Sequence, residues 1–163
     1  MTELTHFNSE GRAKMVDISG KLATLREAVA VGTVYVNAET LGLIMQGRNE
    51  KGDVLAVAQV AGIMAAKRTP DIIPMCHPVA IVGVDIHFTP DNEQNAIHIT
   101  ATVRCKGETG VEMEALTAVS ATALTIYDMC KIVQKDIEIS NIRLLRKTGG
   151  NSGEYVAEAS ENT

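Results

Sequence analysis

Met75, Cys76 and His77 stand between Pro74 and Pro78. The prolines restrict the backbone on both sides of the triplet. An imidazole in so rigid a loop, just ahead of a strand, can contact a ligand or pass a proton. The plainer account is a structural loop with a partly buried Cys–His pair, and the residues alone leave both accounts open. A metal site does not follow, because Cys76 and His77 are adjacent and no further ligands are spaced to join them. Glu112 and Glu114 open a long apolar stretch that Asp128 and Lys131 close. Glu112 has a local explanation, a capping box with Thr109 as N-cap. Glu114 has none. Asp128 and Lys131, three residues apart, share a helical face. They are either a surface ion pair of little energetic worth or charges set in an apolar run for a purpose. His87 and His98 fall on the polar faces of strands, and His6 lies in a polar arm.

Cations Lys14, Lys21, Arg26, Lys51, Lys67, Arg68, Lys131 and Lys147 sit mostly on loops and element ends, where phosphate contacts are made. From Lys147 the chain reads KTGGNSG, a Gly-rich segment able to close over phosphates but without Walker spacing or helical context.

The elements that must position these groups follow from the hydrophobic pattern. Arg26 to Val36 predicts a strand, interrupted near Gly32. Ala38 to Gln46 predicts a helix ending at Gly47, and Asp53 to Arg68 a second with Asp53 as N-cap. In that second helix Val54, Val57, Ala58, Ala61, Met64 and Ala65 share one face, while Leu55, Val60 and Ile63 line another. Such all-round apolar character predicts burial on several sides, a subunit interface among them. Val82, Val84, Ile86 and Phe88 alternate with polar residues, as do Ile97, Ile99, Ala101 and Val103. Period two predicts an antiparallel pair joined by the turn PDNEQN. A helix over Val111 to Val133 and a strand over Asp136 to Leu145, bulged near Asn141, complete the order. That order is an α/β (α+β) ferredoxin-like split βαβ plan, an antiparallel sheet with helices on one face. One domain over 1–163 is expected, with a flexible arm to about residue 20 and a mobile tail from about 149. Glu114 and Asp128 are fourteen residues apart, roughly 21 Å along one helix. Either the ligand is long, or two subunits with antiparallel helices build the site.

Composition narrows the function classes. Apolar residues make up 45% of the 163 and charged residues 21%, enough for a packed core. Aromatic content of 3%, with no Trp, argues against stacking on single-stranded nucleic acid. A net charge of −5 lacks the basic footprint of a nucleic-acid binder, so an anionic ligand needs a local cation cluster. Three separate cysteines, no C-x-x-C pair, no signal-like start and no membrane-length apolar run lead to an expected cytoplasmic location. Two classes stay open on the residues alone, an acid–base enzyme and a non-catalytic binding module on the same split βαβ plan.

HFNSEGRAKMVDIS, KGDVLAVAQVAGIMAAKRTPDIIPMCHPV, KGETGVEMEALTAVSATALTIYDMCK and KTGGNSG together resemble the cyclic pyranopterin monophosphate synthase family of molybdenum cofactor biosynthesis. The likeness runs in one register from Leu4 to about Tyr155. It implies a homohexamer, a trimer of dimers with sites at dimer interfaces, that works after a radical S-adenosylmethionine enzyme. The implied lyase reaction turns 3′,8-cyclised dihydro-GTP into cyclic pyranopterin monophosphate and diphosphate. No cofactor is implied beyond Mg²⁺ that could accompany the triphosphate. By motif position, Met75, Cys76, His77, Glu112, Met113 and Glu114 line the substrate. Asp128 is catalytic with Lys131 as acid–base partner and Lys51 as a further proton carrier. Arg26, Lys67 and Lys147 are anion contacts. Asn151 departs from the family's usual Lys in GGKSG, and SNIRLL from its GPVRLL-type turn.

Overall fold

The computed structural model describes residues 6–47 and 52–158. Elements run β1 (Thr24–Tyr35), α1 (Ala38–Met45), α2 (Val54–Lys67), α3 (Thr69–Ile72), β2 (Ile81–Asp91), β3 (Ala96–Gly107), α4 (Glu112–Cys130), β4 (Glu138–Thr148) and β5 (Tyr155–Val156). The strands form one antiparallel sheet in the order β2-β3-β1-β4-β5. Setting β5 aside, this is the expected ferredoxin-like split βαβ arrangement.

Period two turns Ala28, Ala30 and Val34 of β1 and Ile97, Ile99, Ala101 and Val103 of β3 into the core, all fully buried. Against that face lies α4, whose Ala115, Ala118, Val119, Ala123 and Ile126 are fully buried. α2 packs in turn on α4 and β2. Its N-cap is Asp53, whose carboxylate accepts from Ala56 N at 3.0 Å. The helix α1 is capped by Asn37 and stops before Gly47 at φ 62°. In β4 the expected bulge falls at Asn141, φ 57°, where the register against β1 shifts between Val31 and Thr33.

Three expectations change. The buried stripe of α2 is Val54, Ala58, Gly62 and Ala66, while Val57 and Met64 are exposed. Small size selected that face. A Cβ on Gly62 would stand 2.2 Å from Thr122 Oγ1 and 3.0 Å from the Ala118 carbonyl oxygen. Second, α4 begins at Glu112 with Val111 as N-cap and no side-chain cap, so Thr109 and Glu112 form no capping box. Glu112 turns instead to Lys147. Third, regular structure continues past Leu145: β4 runs to Thr148, and β5 pairs Tyr155 and Val156 with Lys147 and Arg146.

Candidate active site

The loop after α3 and the first turn of α4 meet across a cavity of about 310 Å³. Met75, Cys76 and His77 line it from one side, Glu112, Met113 and Glu114 from the other, with His6, Thr109 and Gly110 at its margins. These six expected substrate-side residues, distant in sequence, thus share one pocket. Sequence reasoning omitted Thr109 and Gly110 as lining residues and could not read His6.

Glu114 is 3% exposed. Burial pushes its carboxyl up, its own backbone N–H pulls part of the way back, and the negative charge of Glu112 adds to the rise. The Cys76 thiol is also pushed up, first by burial and then by Glu114, so it stays protonated near neutrality. His77 Nε2 lies 2.7 Å from the Val16 carbonyl oxygen. Acid, thiol and imidazole side by side can exchange protons with a ligand that excludes water.

Lys147 reaches the pocket through Glu112, donating from Nζ to Oε1 at 2.8 Å. Arg26 sits behind it. Its Nε donates to Gly107 O at 2.8 Å and its Nη2 to Glu108 O at 2.9 Å, which ties down the loop entering α4. A Cβ on Gly150 would stand 2.1 Å from Arg26 Nη1, so the Gly-rich turn after Lys147 lies directly on this guanidinium. Arg26 also lines a second cavity of about 430 Å³ with Lys21, Asn151 and Ser152.

Asp128 and Lys131 lie at the other end of α4. Lys131 donates from Nζ to Asp128 Oδ1 at 2.5 Å, with the Lys131 side chain 52% and the Asp128 side chain 60% exposed. Burial of Asp128 among its apolar neighbours is therefore not what explains it. The hydrogen bond and then the charge of Asp128 raise the Lys131 ammonium above its ordinary value. That opposes the depressed lysine one would obtain beside other cations. Lys67 ends α2 and is exposed. Lys51 lies outside the described residues.

The chain is an α+β protein of ferredoxin-like plan whose pocket gathers acids, an imidazole and a thiol, with a lysine–carboxylate pair beyond it. Residues 15–150 match the MoaC family, and the chain belongs to it. It is 61% identical over 155 residues to the cyclic pyranopterin monophosphate synthase of a Thermoanaerobacter species, covering 95% of this chain and 98% of the relative. The protein of that name from Chloroflexus aurantiacus is 60% identical over 153 residues, 94% of each chain. That from Heliobacterium modesticaldum is 56% identical over 158 residues, 97% of this chain and 99% of the relative.

Proposed function

We infer that this chain is a lyase of molybdenum cofactor biosynthesis that converts 3′,8-cyclised dihydro-GTP to cyclic pyranopterin monophosphate and diphosphate. One observation carries the reading: near-full-length identity to relatives of that name, 61% over 95% of the chain in one case.

The chemistry suits the residues. Rearranging a purine-derived ring moves protons at several atoms, so donors and acceptors are needed at several places. Forming the cyclic phosphate requires a substrate hydroxyl oxygen to bond the α-phosphorus while the bond to the departing diphosphate breaks. Fixed cations stabilise the charge that gathers on that leaving group. Lys147 is assigned to the phosphates, with Arg26 holding the loops around them and Lys67 a further anion contact. Burial makes the Glu114 carboxyl hold its proton more tightly than usual, and the Cys76 thiol adds a donor on the base side. Asp128 and Lys131 act as a pair, and an ammonium held charged by its carboxylate is an acid in the first half of a proton transfer. Lys51 is a further proton carrier, and Mg²⁺ accompanies the triphosphate.

Glu114 and Asp128, roughly 21 Å apart along α4, serve one reacting centre if two chains pair with these helices antiparallel. The assembly we assign is a homohexamer, a trimer of dimers with shared sites, acting in the cytoplasm after a radical S-adenosylmethionine enzyme. Incubating the purified chain with the cyclised nucleotide tests the reading. Stoichiometric release of diphosphate with formation of the pyranopterin is expected. Binding without diphosphate release would instead indicate a nucleotide-responsive regulator.

A further inference from the structure

The segment before β1 is a built strap. Residues 6–14 form a small hairpin: Phe7 bridges Ala13, Lys14 N donates to His6 O at 2.9 Å, and Asn8 Oδ1 accepts from Arg12 N at 2.8 Å. Asp17 Oδ1 takes Ser19 N at 2.9 Å and Lys21 N donates to Ile18 O at 3.0 Å, which turns the chain toward β1. Between these turns only Val16 and Ile18 are half-buried, in a stretch whose other residues from His6 to Ala23 are exposed. The strap therefore docks through those two side chains. It meets the pocket at His6, on the margin, and through the Val16 carbonyl, 2.7 Å from His77 Nε2.

A carbonyl oxygen can only accept. Nε2 must therefore carry a proton. In the neutral imidazole that leaves Nδ1 as the lone-pair nitrogen; no hydrogen bond from a described residue reaches it, and the Asp17 carboxylate of the strap acts on His77 through charge without bonding it. We propose that the strap, through the Val16 carbonyl, fixes His77 as the Nε2–H tautomer and so delivers Nδ1 as the proton-accepting nitrogen to the substrate pocket. Val16 is thus a positioning residue that acts through His77, much as an outer hydrogen-bond partner sets the tautomer of a histidine ligand. The inference rests on the functional reading only for what Nδ1 meets, the cyclised nucleotide. Its structural half stands apart from turnover.

The test is a ¹H–¹⁵N histidine spectrum of the full chain at about pH 8.5, well above the usual histidine value. His77 signals are assigned by their loss in His77→Gln. The full chain should give the Nε2–H pattern and a directly visible Nε2–H proton, protected from exchange by its bond. In Val16→Gly, and more completely in Val16→Gly/Ile18→Gly, that proton should vanish into exchange and kcat should fall about tenfold or more. Val16→Ile, which keeps the docking side chain, should restore both. An Nδ1–H pattern in the unaltered chain would overturn the proposal, as would an Nε2–H signal unchanged in the double variant. A chain that shows the expected tautomer yet releases no diphosphate would uphold the positioning role and defeat the functional reading.

Discussion

Glu114 and Asp128 are both carboxylates of one helix, yet one is buried and the other exposed. Glu114 is buried at 3% exposure and its carboxyl is raised, so the fold favours its protonated form. A raised carboxyl binds its proton more tightly folded than unfolded. It weakens the fold increasingly as pH rises from the unfolded value, 4.5, to the folded one, and by a constant amount above that. Glu114→Gln removes the ionisation. Its melting temperature should exceed that of the parent at pH 8, with the gain shrinking as pH falls and gone below pH 4.5. A gain that grows toward acid would refute this sign. Asp128, 60% exposed and bonded to Lys131, contributes little to stability. Asp128→Asn should therefore keep its melting temperature while turnover falls by about 10²–10⁴-fold, the range of a lost general acid or base. Unchanged product formation would remove Asp128 from the chemistry.

Elements hold these groups through a few tight contacts. The seam between α2 and α4 depends on Gly62, where a Cβ would meet Thr122 Oγ1 at 2.2 Å and Ile86 Cδ1 at 2.4 Å. Thr122 cannot swing aside at no cost, because its hydroxyl donates to Ala118 O at 2.8 Å. Helix propensity alone would make Gly62→Ala stabilising by about 0.8–1 kcal/mol. Overpacking should outweigh that, for a net loss of about 1–2 kcal/mol. Urea unfolding with an unchanged slope and a lower midpoint is the expected readout. A higher midpoint would mean that α2 shifts freely on α4. The entry to α4 depends likewise on Arg26, which ties down the Gly107 and Glu108 carbonyls ahead of a helix start that has no side-chain cap.

At the scale of the molecule, the length of α4 separates Glu114 from Asp128, and α2 turns Val57, Val60 and Met64 outward at 45%, 56% and 50% exposure. Both features fit the shared site assigned above. Mixing Glu114→Ala chains with Asp128→Asn chains, each inactive alone, should restore part of the activity, since some interfaces then hold one intact site. No recovery in verified mixed assemblies would confine each site to one chain. The sequence by itself determined the four long strands, the Asp53 and Gly47 helix limits, the Asn141 bulge and the family, because period two, capping chemistry and long motifs are local properties of the chain. It also named the six residues that came to line the pocket. Only the tertiary structure decided that Glu112 serves Lys147 and not a cap, that Arg26 anchors Gly107 from 81 positions away, and that a carbonyl of the arm meets His77 from 61 positions away. Those pairings join side chains to partners that no local window contains. Backbone carbonyls, moreover, carry no residue identity that a sequence pattern could reveal. The buried face of α2 was illegible for a related reason: every side of that helix is apolar, and steric fit at Gly62 made the choice.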